Sequence, residues 1–263
     1  MKYAICRVVG NELPPRDPPG AKIQALKHVL EYENITDPET KRVWVMNHII
    51  DPNYEKELRS ILQGETIVDE PFDYYHHASL PTWYEKVAYS IHLNGGRNVG
   101  LKYCMPQFLF TVVFDQDCYI YPNEWQQIKN NIEQDQKFND RKYYLLSTKR
   151  LTAPTIPETL EGLPHEEPMI VFRNDAPQIF NPHIRFGDDN KRKFLAETLG
   201  VQVSIKNHTV DFLNDTTIFV GNCAHIAFGN DELERDVELR RISRQESIER
   251  FLETIEIKYN MVF

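Results

Sequence analysis

Residues 109–121 read LFTVVFDQDCYIY. The first six are apolar or β-branched, the composition of a buried strand. The run then stops at Asp115 and Asp117, two carboxylates one residue apart. A buried strand that ends by presenting two acids asks for a fold that places strand ends at a binding site.

The flanking sequence supplies one. KYAICRVV (2–9) is a strand candidate, followed by the Pro-rich loop NELPPRDPPG. AKIQALKHVLEYEN has Ile23, Leu26, Val29 and Leu30 at helical spacing. KRVWVMNHII is a second strand, and DPNYEKELRSILQ a helix with Asp51 as N-cap and Pro52 at its first position. ETIVDEPF is a third strand. LPTWYEKVAYSIHLNGG is a third helix, expected to end at Gly95 and Gly96. FLFTVVFDQDCYIY is expected to be one fourth strand, PNEWQQIKNNIEQDQ a further helix and KYYLLSTK a further strand. This alternation predicts an α/β fold with a mostly parallel central sheet flanked by helices. Such sheets bind ligands beyond the carboxyl ends of their strands, where Asp115 and Asp117 fall.

From residue 149 the character changes. KRLTAPTIPETLEGLPHEEP is a loop with four prolines, and short strands around one helix follow, then charged amphipathic helix. The expected division is an α/β half at 1–148 and an acceptor-side half at 149–263, within one compact domain.

Composition excludes several classes. The chain has 263 residues, 41% hydrophobic and 26% charged, enough for a packed core and too apolar for bulk disorder. A net charge of -9 argues against a general grip on nucleic acid or anionic membrane. Cys6, Cys104, Cys118 and Cys223 are far apart with no CxxC pair, so reduced thiols are expected rather than a disulfide framework or zinc site. No run approaches the ~20 apolar residues of a membrane span, and the N-terminal apolar run is short. A soluble, cytoplasmic protein is expected.

Asp-x-Asp at a strand end suits a hard divalent cation, since Mg²⁺ and Mn²⁺ take carboxylate oxygens together with substrate phosphates. With that strand in place the chain resembles the GT-A fold glycosyltransferases, above all the inverting family 2 type. ICRVVGNE carries the first strand and its Asn-Glu turn, matching at Asn11 and Glu12. NGGRNVGL (94–101) resembles the Gly-x-x-x-Arg-Asn-x-Gly segment at Arg97, Asn98 and Gly100. FGDDNK (186–191) resembles the acceptor-side segment. The resemblance spans about residues 3 to 230. It departs at the second strand, which ends VMNHIID where the family has Asp-Asp-Gly-Ser, so Asn47 and Asp51 are the nearest counterparts. The Gln-x-x-Arg-Trp segment of processive synthases is absent, which favours transfer of a single sugar.

The resemblance implies a UDP- or GDP-sugar donor and a glycan or small-molecule acceptor, joined with inversion. It implies Mn²⁺ or Mg²⁺ held by Asp115 and Asp117, with His225 in GNCAHIAFG as third ligand and His208 and His183 as rivals. Val9, Asn11, Asn47, Arg97, Asp115 and Gln116 are expected around the nucleotide-sugar. Asp189, then Asp188, is expected as the base that takes the acceptor proton, although acids there would also suit a helix N-terminus. The Tyr/Trp-rich DYYHHASLPTWY could stack on a sugar or base. Competing readings are a nucleotidyltransferase and a non-catalytic glycan- or partner-binding relative. A nucleic-acid base acceptor would require Lys149, Arg150, Lys191, Arg192 and Lys193 to gather at the cleft.

Overall fold

The computed structural model describes residues 2–151, 160, 163, 166–188, 190–204, 209–226 and 237–260. Strand β1 (Tyr3–Val9) is buried along its whole length. Parallel neighbours cover it on both sides: β2 (Thr40–Asn47), then β3 (Thr66–Glu70) beyond that, and β4 (Phe110–Phe114) opposite. A strand hydrogen-bonded on both edges and packed on both faces needs the near-continuous apolar run that YAICRVV carries.

The first helices follow their sequence signals. In α1 (Ala21–Tyr32), Ile23, Leu26 and Val29 are buried. In α2 (Pro52–Ile61), the Asp51 carboxylate accepts from the backbone N–H of Asn53 and Tyr54. A short helix, α3 (Tyr74–Ser79), capped by Asp73, occupies the aromatic segment. It is followed by α4 (Trp83–Ile91), opened by a Thr82–Glu85 capping box.

The glycines at 95 and 96 do not end that helix. α4 stops at His92, in the left-handed region at φ 47°, and α5 (Leu93–Cys104) runs through both glycines. Their role is close packing. A Cβ at Gly96 would lie 2.8 Å from Val8 Cγ1 and 2.9 Å from Asn47 Oδ1, and one at Gly100 would overlap Cys6 Sγ. α5 therefore rests directly on β1 and β2, and Arg97, expected after a helix end, is buried within it.

The expected fourth strand is also interrupted. β4 ends at Phe114, residues 115–117 turn, and β5 (Cys118–Tyr119) pairs antiparallel with β10 (Phe219–Ile226) at the far edge of the sheet. Between them come α6 (Pro122–Asp135), β6 (Tyr143–Leu151) and β7 (Met169–Arg173). The sheet order is β3-β2-β1-β4-β7-β6-β10-β5, with β7 and β5 antiparallel to the rest. Strands from both sequence halves thus share one sheet, and the division after residue 148 falls within β6. α7 (Asn190–Leu199) leads to a small hairpin, β8 (Val201–Ser204) and β9 (Thr209–Phe212). The long α8 (Val237–Asn260) packs Ile248, Phe251, Leu252 and Ile255 with Leu13, Ile50 and Val87. No helix among the described residues is long and apolar enough to cross a membrane.

Candidate active site

The turn at 115–117 lies where β4 gives way to β5, and it is held from beneath. Arg7 and Glu33, both without solvent exposure, form an ion pair in the core. Arg7 Nε donates to the carbonyl of Cys118 at 3.0 Å, and Glu33 Oε2 accepts from the Ile120 N–H at 3.1 Å. Two buried charges thus brace the segment that leaves the turn. From the other side, Ile226 N–H donates to the carbonyl of Asp117 at 3.1 Å.

Above the turn opens a cleft of about 350 Å³, whose lining includes Asn11, Arg97, Asp115, Asp117, Lys191 and His225. Arg97 Nη2 donates to Asp115 Oδ1 at 2.5 Å, and Lys191 Nζ lies 3.6 Å from Oδ2. Burial alone would raise the Asp115 pKa, but Arg97 and Lys191 outweigh it and hold the carboxyl far below its usual range. Asp117 faces His225 instead: Nε2 lies 3.2 Å from Asp117 Oδ2, while Nδ1 lies 2.5 Å from Glu166 Oε2. Burial would lower the His225 pKa, yet the two carboxylates lift it to about 10, so the ring is an imidazolium donating both N–H groups. Burial likewise opposes ionisation of Glu166, but His225 and Arg150 bring its carboxyl down to about 2. The site therefore holds two charge clusters: Arg97–Asp115–Lys191, and Asp117–His225–Glu166–Arg150.

Other expected residues fall as follows. Val9 points into the core beside Ile23, Leu26 and Trp44, and its neighbours Val8 and Gly10 line the cleft. Side chains alternate along a strand, so the cleft takes the adjacent positions. Asn11 lines the cleft but also joins two loops: Nδ2 donates to His48 O at 2.7 Å and Oδ1 accepts from Ile50 N at 3.0 Å. Asn47 lines it too, with Nδ2 on the carbonyl of Ile91 at 2.8 Å. Gln116 Nε2 donates to the carbonyl of Lys22 at 2.8 Å, tying the turn to α1. Asp188 lies on the rim, accepting from Tyr84 Oη at 3.0 Å and paired with Arg185 at 3.2 Å. Asp189 and His208 lie outside the described residues, and His183 is exposed.

The aromatic segment divides. Tyr74 stacks on Tyr259 of α8 at 4.4 Å, whereas Trp83 and Tyr84 stay partly exposed under the Arg185 guanidinium. Of the basic residues, Arg150, Lys191 and Arg192 line the cleft, each paired with Glu166 or Glu167. Lys149 is buried on the carbonyl of Leu163, and Lys193 faces Glu197.

Sequence reasoning missed Glu166, Glu167, Arg7 and Glu33. Glu33 looks like any helix-end acid, and Glu166 follows a Pro-rich stretch of sequence with no spacing to tie it to His225. Only a His expected near a metal hints at a carboxylate behind it.

No protein-family model and no curated protein sequence matches the chain. Among solved structures it is similar to S. aureus TarS 1-349 in complex with UDP-GlcNAc, with a TM-score of 0.53 and 12% identity over 94% of this chain and 66% of that one. It is also similar to S. aureus TarS 1-349 without a named ligand, with a TM-score of 0.51 and 13% identity over 94% of this chain and 65% of that one. The chain has a GT-A fold. It spans about two thirds of the length of the structures it overlays. In this GT-A fold the acidic turn after β4 and the cleft above it lie at the carboxyl end of the parallel strands.

Proposed function

We propose that this protein is a glycosyltransferase that moves one sugar from a nucleoside-diphosphate sugar to an acceptor hydroxyl, with inversion. The observation that carries the reading is the pairing of Asp115 with Arg97 and Lys191 beside Asp117 and His225, in a cleft at the strand ends of a GT-A sheet. Such a cleft matches a reaction in which diphosphate charge develops against a positive, partly buried wall.

The C1–O bond to the diphosphate breaks as the acceptor oxygen attacks C1, and the nucleoside diphosphate leaves. Lys191 and Arg97 supply fixed positive charge beside the leaving group. The acceptor proton passes to a carboxylate of the 188–189 pair, of which Asp188 lies on the cleft rim with Tyr84 and Arg185 orienting it. Tyr84, bonded to Asp188, and Trp83 keep exposed ring faces under Arg185 that suit a sugar ring of the acceptor.

A divalent cation fits the second cluster by its chemistry. Asp117 offers a carboxylate, His225 would offer Nε2 once the cation displaces the proton that nitrogen carries in the metal-free protein, and Glu166 holds the opposite ring nitrogen, as carboxylates do behind histidine ligands. Asp115 would join them by giving up its contact with Lys191. The three do not form a cluster with ligand atoms all within 4.8 Å of one another. When bound, Mn²⁺ or Mg²⁺ supplies Lewis-acid neutralisation of the departing diphosphate.

The test is donor binding, then turnover. Isothermal titration with UDP, GDP, CDP and TDP, each with Mn²⁺ or EDTA, should single out one nucleotide. UDP-GlcNAc is the first sugar donor to try, because a protein of the same fold binds it. Asp117→Asn should keep the fold and lose transfer, and the anomeric configuration of the product reports inversion. Failure of every nucleotide to bind, or full activity in Asp117→Asn, would overturn the reading.

A further inference from the structure

A second group of ligating side chains lies at the start of α5. Two histidines there, His48 and His92, both adopt left-handed backbone, at φ 50° and 47°. Non-glycine residues in that region are uncommon and mark corners worth explaining. His48 follows β2, and its N–H donates to the carbonyl of Glu70, the last residue of β3, at 2.8 Å. His92 is the corner between α4 and α5. The fold thus brings the ends of two strands and a helix junction to one point.

The side chains converge as well. His48, Glu70 and His92 offer ligand atoms that all lie within 4.8 Å of one another, the group among the described residues with this property. His92 Nε2 lies 3.9 Å from Glu70 Oε1, and the two imidazoles stack with centroids 4.5 Å apart. His48 Nδ1 lies 2.7 Å from the carbonyl of Tyr89, so that nitrogen carries the proton and Nε2 keeps its lone pair. This is the arrangement by which a backbone carbonyl fixes the tautomer of a ligating histidine. Glycine makes room: a Cβ at position 95 would overlap the His92 ring.

We propose that His48, Glu70 and His92 bind a zinc-type divalent cation at the junction of β2, β3 and the α4–α5 corner. Two imidazoles and one carboxylate are a zinc donor set, and the fourth position falls to water. Tetrahedral bonds of roughly 2.0–2.1 Å require ligand atoms roughly 3.3–3.4 Å apart. Closure from the present spacing needs the three side chains to draw together. The Glu70 side chain is one-third exposed, which opens the site to solvent. The cation would tie β2 and β3 to the start of the helix that carries Arg97. This proposal does not depend on the transferase reading, since it uses none of the cleft residues.

The test is Co²⁺ titration of the metal-free protein, read by the visible absorption of tetrahedral Co²⁺ and by competition with Zn²⁺. A single equivalent should produce the band, and Zn²⁺ should bleach it. Glu70→Gln should weaken Co²⁺ binding by at least roughly tenfold, and His92→Gln should remove it. Asp117→Asn and His225→Gln should leave it unchanged. Because the Glu70 side chain is one-third exposed and the Gln variant keeps its shape, that variant keeps the fold and decides the matter even if His92→Gln is destabilised. Absence of the band in the wild type, or a band kept in Glu70→Gln and lost in His225→Gln, would overturn the proposal; the latter result would place the cation in the cleft.

Discussion

Arg7 and Glu33 sit under the 115–117 turn with no solvent exposure, and each holds a backbone group of the segment that leaves it. Arg7 also packs between the rings of Trp44 and Phe114. The pair therefore links the core of the sheet to the position of the acids above it.

Breaking the pair from one side should be costly. Glu33→Ala leaves a buried guanidinium without its counter-charge and frees the Ile120 N–H. A loss of about 3–5 kcal/mol is expected in urea unfolding. A loss below about 1 kcal/mol would mean that the turn does not depend on this brace.

Glu166 acts on the cleft through His225. Glu166→Gln keeps the shape but removes the charge that orients Nδ1. We expect metal affinity or turnover to fall by about 10–100-fold with little change in unfolding temperature. Equal activity in this variant would remove Glu166 from the site.

His225 makes stability pH-dependent in the metal-free protein. Its folded pKa, about 10, lies above the ordinary value of 6.5, so the charged ring is favoured by folding. Its contribution is complete below pH 6.5 and is lost as pH rises through about 10. In EDTA, the stability difference between wild type and His225→Gln should shrink steadily over that window. A difference that stays constant, or grows, would show that the ring is neutral between Asp117 and Glu166.

Gly96→Ala tests why α5 carries its glycines. The added methyl would press on Val8 and on Asn47, both part of the cleft wall. A cost of about 1–3 kcal/mol is expected from overpacking. An alanine that stabilises the protein, as it would in an exposed helix, would refute the close approach of α5 to β1 and β2.

Much of this protein is set by short-range sequence. Apolar runs such as YAICRVV and FTVVF read as buried strands, Ile23, Leu26 and Val29 fall on one face of a helix, and Asp51 with Pro52 is a helix-start signal. The placement of Asp115 and Asp117 at a strand end follows from the same local pattern. Gly95 and Gly96 show where that reasoning stops. Glycine is a good helix terminator and a good packing surface, and only the presence of β1 beneath α5 selects the second role. Partnership across the chain is likewise tertiary. Glu166 meets His225, Lys191 meets Asp115 and Glu33 meets Arg7 because distant segments converge at one end of the sheet. Charge pairing has no sequence period, so nothing short of the folded chain decides which acid faces which base.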